Sequence, residues 1–512
     1  MTSYQGNFNF TDSIIRIAGM IFLGLLVACQ SSETLTPETT QVEPPERLFL
    51  QQLGNSSVII KWRGNADQVC LISTRGKDQE CQTSGIEEDG HRAVQFTGLK
   101  SDREYLYRVG EYRKDLVFRT APNPGELPKD ETVRFWILGD SGTASERDDK
   151  GELRHPGEAA AVMQGFLKYN ETAKGDPLDM ILLLGDNAYL AGTDAQWQEA
   201  VFDLYLPLLY QTAIWPTIGN HEMGFGVVEH PKYGKLNYGG VSISADPNSY
   251  WSLDRAGKAS QPSRMPYLDI FTLPTRGELG GVPSGTEQYY SVNYGNVHLV
   301  SLDSQLSARD AIQRAAMKEW LIADLAANQQ DWTIVIFHHP PYTKGSHDSD
   351  EKPSSQAGID LPIIDMRREF TPVFEDYAVD LVYTGHSHSY ERSWYLHGHR
   401  GDAATFDATI HAELNNSGQP LTGRGDEFYS QISTGSGTDD KVVYTVAGSS
   451  GKVALEGGKL DHPANAIQPS DPEQRNGLAE LGSVIVDAEQ EQLTARFIND
   501  KGEVLDTVIL RR

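Results

Sequence analysis

Cysteine is scarce in this chain: three residues in 512, at Cys29, Cys70 and Cys81. No histidine-rich stretch surrounds them in sequence, so a cysteine nucleophile is not the expected chemistry. Positive charge is also in short supply. Lys and Arg number 44 against 71 Asp and Glu, a net charge of −27, which is the reverse of an electrostatic footprint for nucleic acid. No nucleic-acid partner is expected. The apolar stretch from Ile14 to Ala28 is broken by Arg16 and falls short of the about 20 residues that a spanning helix needs. There is no internal repeat, P-loop or dinucleotide-binding fingerprint. What the chain does have is 39% hydrophobic content, ample for a large core, and a length that suggests two or three domains.

Five short pieces carry the chemistry: Asp140 in GDSG, Asp186 in GDNAY, Asn220 in GNHE, His338 in HHP, and His386 with His388 in GHSH. Four of them end apolar runs, TVRFWIL, MILLL, TIVIF and LVYT. A strand buried in a sheet is apolar along its length, and ligands placed where such strands end converge on one sheet edge. The pieces therefore predict a layered α/β domain with a cluster of metal-ligating side chains. Two runs with helical periodicity, ending at Asn170 and Gln329, supply helices to cover the sheets.

In this order the five pieces resemble the sequence blocks of the calcineurin-like metallophosphoesterases. Tyr189, three residues after Asp186, and the ending GHSHSYER at Arg392 are similar to the purple acid phosphatases. The resemblance runs from about Glu46 to Tyr395. It implies a four-layer α/β/β/α sandwich over residues 130–512, preceded by an all-β fibronectin type III-like domain at 46–122. It also implies two metal ions. Asp140, Asp186, Tyr189 and His388 would hold one, and Asp186, Asn220, His338 and His386 the other, with Asp186 as the bridge that two closely spaced cations require. A phenolate is a hard anionic donor, so the resemblance implies Fe(III) beside Tyr189 and a divalent ion, Zn, Mn or Fe, in the second position.

The implied reaction is hydrolysis of a phosphate monoester by attack of a metal-bound hydroxide. His221 would sit beside the phosphate, and His347, nine residues after His338, resembles a substrate-side histidine. Either is suited to donate a proton to the departing oxygen, although His347 reads equally well as a solvated loop residue. His339 is expected to make a structural hydrogen bond. Glu391 and Arg392 read either as supports for the ligand histidines or as a surface ion pair.

The N-terminus resembles a bacterial lipoprotein signal, with LVAC placing Cys29 as the lipidated residue. Residues 1–29 would then be the signal peptide, 30–45, rich in Thr, Glu and Pro, a disordered tether, and the protein a lipid-anchored, extracytoplasmic one. An uncleaved anchor or an ordinary secretory signal, giving a secreted protein, is the alternative. In an extracytoplasmic compartment Cys70 and Cys81 are free to pair across a short turn; two reduced thiols are the alternative there. Short alternating strands separated by polar turns between Glu46 and Thr120 argue for a β-sandwich. Between Met223 and Glu287 lies an insertion with Phe225, Tyr233, Tyr238, Tyr250, Trp251 and Tyr267, read either as loops at the mouth of the site or as a scaffold with a small core. HGH at His399 is expected to be two exposed turn histidines, and RGD at Asp426 a chance match. Three functions compete: a phosphomonoesterase, a phosphodiesterase or nucleotide hydrolase on the same centre, and a non-catalytic surface-binding lipoprotein. Oligomeric state is not legible.

Overall fold

Strand after strand in the second half of the chain divides its side chains between two cores, and that alternation sets the architecture. In Val297–Ser301, Val297 and Leu299 face one core while Val300 faces another; in Trp332–Ile336, Ile334 and Ile336 face the first and Val335 the second. Leu381–Thr384 and Val442–Ala447 divide in the same way. A period of two puts successive side chains on opposite faces, so a sheet apolar on both faces must be covered on both.

The structure is a computed structural model, and it describes residues 45–512 apart from 73–78, 88–89, 113–115, 149, 173–176, 191, 224–226, 231–233, 238–265, 306, 309–310, 351–359 and 432–440. The signal, the tether and Cys29 lie outside the described residues, as do Phe225, Tyr233, Tyr238, Tyr250 and Trp251. Among the described residues no helix is long and apolar enough to cross a membrane.

Two sheets make the larger part. The first has seven strands in the order Ala213–Pro216, Met180–Leu183, Val133–Leu138, Gly482–Ala488, Gln492–Asn499, Val504–Arg511 and Tyr429–Ser430. Its first three strands are parallel. The second has six, Tyr290–Tyr294, Val297–Ser301, Trp332–Ile336, Leu381–Thr384, Val442–Ala447 and Tyr390–Leu396, with four central parallel strands. Inner-face residues such as Phe135, Ile137, Leu299 and Tyr383 share one core. Helix Ala311–Ala327 covers the outer face of the second sheet with Met317, Leu321 and Leu325, and helix Glu158–Thr172 buries Val162 and Phe166 against the first. The result is a mixed α/β fold with helices on the outside of paired sheets.

Ahead of it, antiparallel strands form sheets of three (Glu46–Gln51, Ser57–Arg63, His91–Thr97) and four (Gln79–Thr83, Gln68–Ile72, Glu104–Val109, Leu116–Arg119). Cys70 and Cys81 face each other across adjacent strands and are joined by a disulfide. These strands and the larger part belong to one compact unit, Glu43–Arg512. Buried Arg47 pairs with Asp194 at 2.8 Å, and the rings of Phe49 and Phe202 lie 5.0 Å apart.

Tyr267 is fully buried and donates to the Pro216 carbonyl at 3.0 Å, which favours the core-forming reading of the insertion at that residue. Two expectations need correction. His399 is buried against Tyr342, Phe406 and His411 instead of exposed in a turn. Glu391 and Arg392 are neither supports of the ligand histidines nor a surface pair. Both are fully buried; Arg392 binds Asp506 at 2.7 Å, and Glu391 accepts from the Thr343 hydroxyl at 2.5 Å and the Lys344 amide at 3.0 Å. Arg424 of the RGD piece is likewise tied to Asp506, at 2.7 Å.

Candidate metal centre

Asp140 and Asp186 follow the ends of the parallel strands Val133–Leu138 and Met180–Leu183, while His338 and His386 follow Trp332–Ile336 and Leu381–Thr384. Asn220 lies four residues beyond Ala213–Pro216. All are buried. The sequence places glycines at these turns, yet the left-handed backbone falls mostly on the ligands themselves: φ is 57° at Asp140, 53° at Asp186 and 68° at His386. Asp and His tolerate that region better than most residues. Gly185 does have φ 89°, and a Cβ there would lie 2.7 Å from His338 Nδ1. Gly385 is needed for space alone, because its Cβ would run into an Asp140 oxygen.

Each carboxylate has one oxygen committed to the backbone. Asp140 Oδ2 accepts from the His386 amide at 2.8 Å and Asp186 Oδ1 from the His221 amide at 2.7 Å. The other oxygens face the centre, where the seven side chains form two groups. Tyr189 Oη lies 3.2 Å from Asp140 Oδ1, 3.1 Å from Asp186 Oδ2 and 3.4 Å from His388 Nε2. On the other side, Asn220 Oδ1 is 2.9 Å from both His338 Nε2 and His386 Nδ1, those two nitrogens are 3.2 Å apart, and His338 Nε2 is 3.3 Å from Asp186 Oδ2. Asp186 Oδ2 is common to both groups.

This spacing fits cations in two positions. Neighbouring donors around an ion bound at about 2.0–2.2 Å sit roughly 3 Å apart. The tautomers agree. His338 gives its Nδ1 hydrogen to the Leu184 carbonyl at 2.8 Å, so the lone pair of Nε2 points at the acceptor oxygens of Asn220 and Asp186. Acceptors turned toward acceptors need a positive charge between them.

Titration reflects the same need. Burial pushes Asp140 up to about 6, opposed by His338 and reinforced by Asp186. Burial opposes charge on His338, but Asp186 and Asp140 outweigh it and lift the ring to about 9, a proton doing there what a metal cation would do. His386 is pushed down to about 3 by burial and by neighbouring His347. Burial and the two carboxylates push the Tyr189 hydroxyl well above its ordinary 10, so a phenolate requires added positive charge.

The two further histidines flank the centre. His221 stacks on Tyr189 with centroids 3.9 Å apart and bonds the Leu190 carbonyl at 2.8 Å through Nδ1. His347 stacks on His386 at 3.8 Å; the structure places it in the cluster and not on an isolated loop. His339 takes the structural place expected of it, 2.8 Å from Ser304 Oγ.

Three residues escaped the sequence reading. Glu222 accepts from the amides of Asp186 (2.9 Å), Asn187 (2.7 Å) and Gly219 (2.6 Å), tying two ligand loops together; burial raises it to about 7. Its place inside GNHE was the available signal. Lys452 sets its ammonium 5.1 Å from the Tyr189 ring centroid and 3.4 Å from Glu146. It follows the apolar run VVYTVA and a glycine-containing turn, the same signature that located the candidate ligands. Asp360, bonded to both His347 and His386, had no such signal.

Comparison with known proteins agrees with this geometry. The calcineurin-like phosphoesterase family model matches residues 133–390, half of the chain. Purple acid phosphatase 1 of Ipomoea batatas is 26% identical over 305 residues, covering 58% of this chain and 50% of the relative. Probable inactive purple acid phosphatase 24 of Arabidopsis thaliana is 23% identical over 341 residues, covering 63% and 48%. The chain thus spans about half the length of the curated relatives it matches. The solved structure of purple acid phosphatase PPD1 from yellow lupin (Lupinus luteus) superposes with a TM-score of 0.61 at 17% identity, covering 91% of this chain and 74% of that one, a likeness of fold. With the family model spanning the strands that deliver the cluster, the chain belongs to the calcineurin-like phosphoesterase family.

Proposed function

We propose that this chain is a phosphohydrolase of purple acid phosphatase type that cleaves phosphate monoesters, with Fe(III) held by Asp140, Asp186, Tyr189 and His388 and a divalent Zn, Mn or Fe ion by Asp186, Asn220, His338 and His386. The observation that carries this reading is the pair of donor groups sharing Asp186 Oδ2. Such ions, when bound, supply Lewis-acid polarisation of phosphoryl oxygens and acidify water. The chain's own part is positional. Glu222 and the His221 amide hold the Asp186 loop, and His338 is oriented by the Leu184 carbonyl. His221 and His347 flank the place a phosphate would occupy, one to bind it and one to give a proton to the leaving oxygen. Lys452 adds a fixed cation at the same edge, where an anionic substrate gains from it. On the sequence of its N-terminus we further assign it to the cell envelope of a bacterium, anchored through lipid on Cys29.

The test is metal analysis and a visible spectrum of protein lacking residues 1–30, with turnover of a phosphate monoester and a diester on the same sample. Iron with a second metal, a visible band lost in Tyr189→Phe, and preference for the monoester are expected. Two metals without colour would sink the iron–tyrosinate assignment, and diester preference the monoesterase assignment.

A further inference from the structure

One oxygen of Asp360 lies 2.8 Å from Nδ1 of His347 and 3.0 Å from Nε2 of His386. The two imidazoles stack, centroids 3.8 Å apart with 28° between planes. His386 turns its Nδ1 toward Asn220 and His338, so its hydrogen is on Nε2 and goes to Asp360. His347 gives its Nδ1 hydrogen to the same oxygen, which leaves Nε2 outside that bond. His347 also lines a cavity of about 430 Å³ together with Lys344, Ser346, Asp348, Glu456 and Lys459. Asp360 itself is 13% exposed and His347 23%, so these hydrogen bonds are made mostly out of water, where they hold geometry best.

We propose that Asp360 is a positioning residue that fastens the proton-donating ring of His347 to the ring of the ligand His386, fixing the donor relative to the centre. This rests on the phosphohydrolase reading. As the bond from phosphorus to the alcohol oxygen breaks, its electron pair stays on that oxygen and the proton on His347 Nε2 passes to it, while water provides the oxygen that phosphorus gains. Asp360 changes no bond. Its worth lies in placement, since a ring free to turn about two side-chain torsions spends little time aimed at the leaving oxygen. An ester with a poor leaving group needs that proton, and 4-nitrophenolate does not.

The experiment compares Asp360→Asn, His347→Ala and the double variant, all metal-loaded, on an alkyl phosphate and on 4-nitrophenyl phosphate. Asp360→Asn is expected to lower kcat about 10- to 100-fold on the alkyl ester and less than about threefold on the aryl ester, with KM and metal per chain unchanged. The double variant should be no slower than His347→Ala alone on the alkyl ester. Equal losses on both esters, or additive losses, would overturn the proposal, because a residue serving only His386 or the fold would slow both alike. A second readout needs no turnover. In metal-free protein the Nδ1–H proton signal of His347, assigned through His347→Ala, should be sharp in the parent and lost to exchange in Asp360→Ala; its persistence would overturn the proposal as well. A metal-loaded parent that cleaves neither ester would sink the phosphohydrolase reading, and the proton signal would still decide whether Asp360 holds the ring.

Discussion

Two buried charged clusters sit a few residues apart along one strand and its preceding loop, and they are built on opposite principles. Around Asp506, every partner donates. Arg392 at 2.7 and 3.2 Å, Arg424 at 2.7 Å, Tyr390 at 2.9 Å and Gln468 at 3.3 Å all give hydrogens to its carboxylate. The group is held down to about 2, because the two arginines outweigh burial. Around Asp186, Asn220, His338 and His386 turn acceptor atoms toward one another, and the titration of Asp140, His338 and His386 is pulled in opposite directions. The first cluster is complete as folded; the second leaves acceptors that a cation would satisfy. Burial and charge alone do not distinguish a structural ion pair from a functional centre, whereas the balance of donors and acceptors does.

The sharpest way to break that comparison is Asp186→Asn. Loss of the shared carboxylate should remove metal and lower kcat/KM on the order of 10⁴-fold, about 5.5 kcal/mol. The metal-free protein should melt within about 4 °C of the parent, since the lost attraction to His338 is offset by relief of repulsion from Asp140 and Glu222. A large drop in melting temperature would mean that the open cluster is structural after all.

Asp506→Ala is the converse. Arg392, fully buried, would be left as an uncompensated charge, and removing one partner of such a pair typically costs about 3–5 kcal/mol. Denaturant unfolding measures it. The surviving folded protein should carry as much metal per chain as the parent; a parallel loss of metal would show that the two clusters are not independent.

The same contrast accounts for what the sequence discloses. Asp140, Asp186, His338 and His386 are legible because each ends an apolar strand, and the constraint that buries a strand also fixes where its last side chain lies. Tyr189 and His388 then follow at short spacing, and Asn220 lies in a piece of its own, four residues beyond Ala213–Pro216. Asp360 and Asp506 are not legible, because each meets its partner across 13 or more residues without any periodic signal. Glu391 and Arg392 depart from both readings of them for a related reason: nothing in SYER itself shows burial, and only the sheet pairing of Tyr390–Leu396 with Val442–Ala447 puts them inside. Of the two readings of the insertion, Tyr267 follows the core-forming one: it lies in a short helix, Pro266–Ile270, packed on Phe271.

Glu391 stands between the two clusters in sequence and sharpens the comparison with a smaller effect. Burial lifts its carboxyl from the ordinary 4.5 to about 7, against hydrogen bonds from Thr343, the Lys344 amide, Ser389 and Asn465. The folded state therefore keeps a proton that the unfolded chain releases. Its contribution to stability is fully present below pH 4.5 and is lost as pH rises through 7. Glutamine has no proton to lose. With its amide oxygen facing the Lys344 amide and Asn465, and its amide group donating to the hydroxyls of Thr343 and Ser389, it reproduces the protonated carboxyl without strain. Unfolding free energies of the parent and Glu391→Gln, measured by denaturant from pH 4.5 to 8, should agree at the acid end and diverge upward in favour of glutamine. A difference that stays constant with pH would mean that the carboxyl titrates at its ordinary value, and that its four donors close it off as completely as those around Asp506.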